Sequence, residues 1–152
     1  MNVLPLETYL PMHLQFAAVC DDAQQRPDGS LDFHGVRFDM AASGFPASRD
    51  RMVFIMVLEW ERQDEGRFQF KVDLLDPRGN PSMTVDGHTE VTAVKPHRPP
   101  PRTHLIMPLQ DVVFPTPGDY RFQIQARGQT FQGPTLFLQE VEEGDETAAG
   151  GA

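Results

Sequence analysis

The sequence has few of the features that identify a compartment. Cys20 is the only cysteine among the 152 residues, so no disulfide can form within the chain, which is typical of a reducing compartment. No uninterrupted apolar run approaches the roughly 20 residues that cross a bilayer. The first residues include Glu7 and prolines where a signal peptide needs an apolar region. These absences favour a soluble, cytoplasmic protein.

Motifs of the common catalytic and cofactor sites are also missing. No Gly-x-Ser-x-Gly segment surrounds a serine, and there is no glycine-rich phosphate loop. The histidines have no close His or Cys neighbour at zinc-binding spacing. Two carboxylates follow Cys20 and would raise the pKa of its thiol, so it is a poor nucleophile. We therefore expect a protein that is not an enzyme and that holds no cofactor and no metal.

Positive charge is scarce. The chain has 13 Lys and Arg against 22 Asp and Glu, and its formal net charge is −9. This balance argues against a nucleic acid or an anionic membrane as a partner. Five of the acids stand near the C-terminus, at Glu140, Glu142, Glu143, Asp145 and Glu146. This acidic segment is either a solubilising terminus or an interaction tail for a basic partner.

Turn residues and alternating apolar positions, in contrast, are frequent. The 14 Pro and 12 Gly favour many turns over long helices. From Tyr120 to Arg127, apolar and polar residues alternate without a break, which predicts a strand with one buried and one wet face. Comparable segments recur along the chain and indicate eight or nine short strands, with no helix of three turns.

These patterns predict an all-β fold, in particular a single immunoglobulin-like antiparallel sandwich over residues 13–141. An extended segment at 1–12 would precede it, and a disordered acidic tail at 142–152 would follow. The turn containing Gly118 leads into Tyr120, as in a tyrosine corner, whose phenol bonds upstream backbone. Between Leu31 and Met40 the alternation slips by one residue across Gly35, which predicts a β-bulge.

Three segments resemble a family of small bacterial proteins of uncharacterised function. They are the Cys20-Asp21 strand end with Ser30 to Val36, the turn Leu75 to Gly79, and the strand start Phe114 to Phe122. The resemblance implies an immunoglobulin-like sandwich and no activity. Asp32 and His34 depart from the apolar residues more usual in that family, so their strand is expected to be more exposed here.

The segment from Met52 to Trp60 is apolar on both strand faces, unlike its neighbours. One face can contact the core, and the other needs a cover. Val53, Ile55 and Val57 are therefore candidates for contact with a partner or a second copy. In that case Ile55→Asp would disrupt an oligomer without unfolding the monomer. The alternative is cover by the Phe45 loop or by residues 1–11.

The most distinctive polar segment runs from Lys95 to Arg102. It holds Lys95, Arg98 and Arg102 among four prolines in an otherwise acidic chain. A polyproline conformation would present the charges to a partner or an anionic surface. The alternative is a stiff crossover between two sheets, with charges that serve solubility.

Two further groups of residues are candidate sites. Asp21 and Asp22, with Asp28, Asp32 or His34, offer ligands for a divalent cation, or else simply end a strand and cap its turn. Loop aromatics, namely Trp60, Phe45 and Tyr9, would suit a carbohydrate or another small ligand.

The function we expect is a non-catalytic cytoplasmic interaction or assembly module, whose partner is another protein or a second copy. Ligand or carbohydrate binding is the first alternative. A metal-dependent hydrolase around Asp21, Asp22 and His34 is the second.

Overall fold

The computed structural model describes residues 12–142, which form ten β-strands and no helix. The strands are β1 Met12–Cys20, β2 Asp22–Gln25, β3 Leu31–His34, β4 Asp39–Ala42, β5 Ala47–Trp60, β6 Gly66–Leu75, β7 Pro81–Val91, β8 Arg102–Phe114, β9 Gly118–Ala126 and β10 Gln129–Glu140. The all-β prediction is confirmed. The described part of the chain contains no helix able to span a membrane. The predicted extended segment and acidic tail lie outside the described residues, apart from Met12 and Glu142.

The strands form two larger sheets and a separate hairpin. The three-stranded sheet has the order β1-β5-β8, and the five-stranded sheet has the order β4-β10-β9-β6-β7. Strands β2 and β3 pair only with each other. All pairings are antiparallel except that of β4 with β10. Most neighbours are distant in sequence, so only β2–β3, β6–β7 and β9–β10 are hairpins of consecutive strands.

The core lies between the two larger sheets. Phe54 of β5 stacks on Phe122 of β9, with ring centroids 4.6 Å apart. Trp60 of β5 stacks on Phe68 of β6 at 4.7 Å. On β9 the residues that alternate with the polar side chains are buried, as the pattern of that strand predicts. The two sheets therefore share one apolar cluster.

The turn before β9 has the hydrogen bonds that the sequence predicts. The Tyr120 hydroxyl donates to the Thr116 carbonyl at 2.7 Å and accepts from the Thr116 N–H at 3.1 Å. Gly118 has φ +130°, and a Cβ there would press on the Pro77 ring, so glycine is required on both counts. The ring of Tyr120 is fully buried and meets Phe114 edge-on.

The β-bulge predicted at Gly35 is wrong. The segment 31–40 is split into β3 and β4, which belong to different parts of the fold. Gly35 lies in their connection with φ +69°, and an added Cβ would overlap the Asp21 carboxylate. The slip in alternation marks the point where the chain leaves the hairpin for the five-stranded sheet.

The segment 41–51 contains parts of two strands, since β4 extends to Ala42 and β5 begins at Ala47. Strand β7 runs from Pro81 to Val91 and continues through Gly87. Gly87 packs on the ring of Phe70, so its lack of a side chain serves close packing.

Candidate interaction surface

Residues 92–101 form a crossover between the two larger sheets. They leave β7, at one edge of the five-stranded sheet, and enter β8, at one edge of the three-stranded sheet. We call this segment the basic crossover. Its path is that of the second alternative for the Lys95–Arg102 segment, a crossover between two sheets. The cations of the segment nevertheless lie on the surface.

Backbone hydrogen bonds fix the basic crossover to the β5–β6 turn. The Val94 N–H donates to the Arg62 carbonyl at 2.8 Å, and the Trp60 N–H donates to the Pro101 carbonyl at 2.9 Å. In the middle, the Arg98 N–H donates to the Lys95 carbonyl at 2.9 Å and closes a turn. The segment is thus a short turn flanked by residues that belong to no strand, instead of one continuous polyproline helix.

Arg62 connects the β5–β6 turn with the basic crossover. Its Nε donates to the Arg98 carbonyl at 2.7 Å, and the residue is exposed. It therefore adds a third cation beside Lys95 and Arg98. No local pattern indicates this contact, because Arg62 precedes Arg98 by 36 residues.

Two shallow grooves flank the basic crossover. One, of about 580 Å³, is lined by the crossover itself, including Lys95, His97 and Arg98. The other, of about 460 Å³, lies between the β5–β6 turn, which contributes Glu61 and Arg62, and the crossover residues Ala93, Val94 and Pro96. Within the range 12–142, neither Lys95 nor Arg98 forms an ion pair. These cations are therefore available to an anionic group from outside the described fold.

Arg102 is held differently from Lys95 and Arg98. Its Nε donates to Glu59 Oε2 at 2.9 Å across the β5–β8 pair. The other Glu59 oxygen is 3.1 Å from His13 Nε2. The charge of Arg102 is therefore already balanced, and it contributes less to an anion-attracting surface than predicted.

The apolar contact surface predicted at Val53, Ile55 and Val57 is not open. Val53 and Ile55 have 0% exposure, and Val57 has 7%. The cover over Val53 and Ile55 is the β2–β3 hairpin, which contributes Ala23, Leu31 and Phe33. The second apolar face of β5 is thus buried within the chain by the β2–β3 hairpin.

Asp21 lies at the base of this hairpin and is surrounded by arginines. Arg37 donates to both of its carboxylate oxygens, at 3.0 and 2.7 Å, and Arg49 approaches at 3.5 Å. The hydrogen bond from Arg37 is the main reason that the pKa of Asp21 is lowered from 3.8. Arg51 donates to the Asp21 carbonyl at 3.2 Å. No short-range pattern indicates this cluster.

The other side chains named for a cation site have their own partners. Asp32 accepts from Arg26 at 2.6 Å, Asp28 accepts from Ser30, and Asp22 accepts from Arg51 at 3.3 Å. Among residues 12–142, His, Cys, Asp and Glu side chains form no group of three or more that is suited to a metal ion. The side chains of Asp21 and Asp22 thus pair with arginines, although Asp22 lies opposite His34 in the hairpin and the Asp21 N–H donates to the His34 carbonyl at 2.9 Å.

Of the three aromatic residues named for ligand binding, the two that the structure describes do not form an exposed platform. Trp60 is 2% exposed, and its Nε1 donates to the Thr103 hydroxyl at 2.9 Å. Phe45 is half-buried against the core, and Tyr9 lies outside the described residues. Cys20 is also buried, beneath the hairpin, and burial together with Asp21 raises the pKa of its thiol.

A family model matches residues 15–137, and its description is a family of unknown function, DUF6941. No curated protein matches the chain. One similar solved structure is the Pseudomonas fluorescens alkylpurine DNA glycosylase AlkC, bound to DNA containing an abasic site analog. The identity is 9%, the TM-score is 0.41, and the match covers 85% of this chain and 30% of that one. The chain therefore spans less than a third of that protein.

Proposed function

Because the chain belongs to the DUF6941 family, whose function is unknown, we propose its function from its surface: a non-catalytic module that binds an acidic protein segment at the basic crossover. The observation that carries the proposal is the exposure of Lys95 and Arg98 on a fixed turn of an acidic protein. Both are exposed, and neither has an ion-pair partner within residues 12–142.

The rigidity of the crossover supports this assignment. When a partner binds to a mobile loop, part of the binding free energy is spent on ordering the loop. A segment that is already fixed before binding avoids this cost. Hydrogen bonds from Trp60, Val94 and Arg98 already hold the crossover backbone. The prolines at 99–101 restrict it further, since each fixes its own φ.

The kind of fold and the location are part of the same proposal. We infer an immunoglobulin-like sandwich, supported by the Tyr120 hydrogen bonds and by the face-to-face contact of Phe54 with Phe122. We also infer a cytoplasmic location, supported by the single, unpaired Cys20. Fractionation of the host cell tests the location, and recovery with an extracytoplasmic fraction contradicts it.

The binding proposal is tested with a fluorescent peptide of glutamates and fluorescence anisotropy. Wild-type protein should bind the peptide at about 0.1 M salt and lose it near 1 M, where the Debye length falls to about 3 Å. The double variant Lys95→Glu, Arg98→Glu should bind at least about tenfold more weakly, because charge reversal replaces attraction with repulsion.

A matched control separates a local effect from one of net charge. Arg78 and Arg121 are exposed, lie on other parts of the surface, and form no ion pair within the described residues. The variant Arg78→Glu, Arg121→Glu changes the net charge equally and should bind the peptide nearly as wild type does. The proposal is contradicted if both double variants lose the same amount of affinity for the peptide, or if wild type does not bind the peptide.

A further inference from the structure

We propose that the acidic segment bound by the basic crossover is residues 142–146 of a second copy of this chain. The inference rests on the proposed function and names its partner. It predicts head-to-tail association, in which each copy offers one acidic segment and one basic crossover. The acidic segment has the sequence Glu-Glu-Gly-Asp-Glu, and the crossover side has Arg62, Lys95 and Arg98.

Charge complementarity is the first argument. The acidic segment has four carboxylates within five residues. The basic crossover and the β5–β6 turn, which hydrogen bonds hold together, offer three cations to them. At about 0.1 M salt the Debye length is about 10 Å, so groups in contact attract one another while charges elsewhere on the two copies are largely screened. The net charge of −9 therefore does not prevent a local contact.

Position in the fold is the second argument. The basic crossover follows Val91, which pairs with Gly66 at one end of the five-stranded sheet. Gln129, the first residue of β10, pairs with Ala126 of β9, which in turn pairs with Phe70 of β6. Since Phe70 lies in the same half of β6 as Gly66, β10 begins near that end of the sheet. Val141 follows the other end of β10, where its N–H donates to the Ala42 carbonyl at 2.9 Å. The acidic segment therefore starts at the end of the molecule opposite the crossover.

Reach excludes contact within one copy. From Gln129 to Glu140 the chain advances roughly 30–36 Å at about 3.3 Å per residue, allowing for the irregularity near Gly133. Four residues beyond Glu142 extend at most about 14 Å. The carboxylates of Glu142 to Glu146 thus cannot contact Lys95 or Arg98 of the same copy, whereas a second copy has no such restriction.

Such a contact joins two different surfaces, so each pair leaves one free segment and one free crossover. Association of this kind is open-ended unless its rotation closes a ring. Sedimentation velocity of the full chain should show a weight-average sedimentation coefficient that rises with concentration at about 0.1 M salt and returns to the monomer value near 1 M.

Two full-length variants give the decisive test. The first removes the segment's charges with Glu142→Gln, Glu143→Gln, Asp145→Asn and Glu146→Gln, and the second is Lys95→Glu, Arg98→Glu. Each should sediment as a monomer alone. Mixed, they should form a one-to-one dimer and nothing larger, because the mixture contains one intact crossover and one intact segment per pair. The control Arg78→Glu, Arg121→Glu should associate as wild type does.

The outcomes separate this inference from the proposed function. If wild type binds the glutamate peptide but stays monomeric up to millimolar concentration, the second-copy assignment is overturned and the binding function stands. Association that persists in the crossover variant, or a mixture that does not dimerise, also overturns the assignment. If wild type binds neither the peptide nor itself, both proposals are wrong.

Discussion

The hydroxyl of Tyr120 connects the start of β9 to the turn that precedes it. Because it both donates to and accepts from the backbone of Thr116, its loss leaves two backbone groups without a protein partner. Thr116 is exposed, so water can replace part of this loss. Tyr120→Phe should therefore lower the free energy of unfolding by about 1 kcal/mol. Urea denaturation measures this change, and an unchanged midpoint would show that the bonds contribute nothing.

Asp21 gives the protein a predictable response to acid. Its pKa is lower in the folded than in the unfolded chain, chiefly because Arg37 donates to its carboxylate. The resulting stabilisation is complete above the ordinary value of 3.8 and is lost as pH falls from there through the lowered folded-state pKa. Stability should thus rise with pH across that window.

The variant Asp21→Asn tests this response. It should lower stability by less than about 1 kcal/mol at neutral pH, since the carboxylate is well exposed, and the difference from wild type should vanish in strong acid. Urea denaturation at several pH values measures it, with a substitution of the exposed Asp39 of β4, Asp39→Asn, as the charge-matched control. A difference that stays constant with pH would contradict the assignment.

Among the elements, the β2–β3 hairpin explains how the described strands, which have no helix beside them between residues 12 and 142, cover a strand that is apolar on both faces. It pairs with neither larger sheet, yet it buries Ile55 beneath Leu31 and Phe33. Ile55→Asp would therefore place a charge inside the monomer, so it should unfold the protein instead of only separating copies.

The exit from this hairpin depends on Gly35. Gly29 and Gly35 both have positive φ, at +90° and +69°, but only Gly35 faces another group, the Asp21 carboxylate. Gly29→Ala should lower stability by about 1 kcal/mol through backbone strain alone. Gly35→Ala should lower it further, because the new methyl displaces Asp21 from Arg37. Thermal denaturation of both variants compares them, and equal losses would exclude the steric contribution.

At the scale of the molecule, the two larger sheets should unfold together. Trp60 of one sheet packs on Phe68 of the other, and Phe54 packs on Phe122, within one cluster. Trp60 fluorescence and far-ultraviolet circular dichroism should therefore give coincident denaturation curves. Separate midpoints would mean that one sheet persists without the other.

Local patterns predicted the strands that have regular alternation or long apolar runs. β9 and the apolar half of β5 fall where their patterns indicate. The first residues of β5 have no such pattern, because Ala47 to Arg51 are mostly polar or charged. The alternation from Leu31 to Met40 reaches into β4 but does not indicate that β4 is a separate strand. Hydrogen bonds to distant strands stabilise these segments. β4, for example, pairs with β10, which is almost a hundred residues away in the sequence.

The basic crossover was found in part. Lys95 and Arg98 form a compact group in the sequence, and both prove to be exposed. Arg62, which joins them, and Glu59, which balances Arg102, come from another part of the chain. Contacts of this kind depend on which strands are neighbours, and no short window of sequence contains that information.

The sequence by itself determined the all-β class, the turn at Tyr120 and the concentration of positive charge at Lys95 and Arg98. Each depends on residues close along the chain, where backbone geometry and alternation act directly. The tertiary structure alone decided that the hairpin covers Ile55, that Asp21 meets Arg37, and that the basic crossover and Val141 lie at opposite ends. These features arise from the pairing of strands distant in sequence, which local physical preferences do not specify.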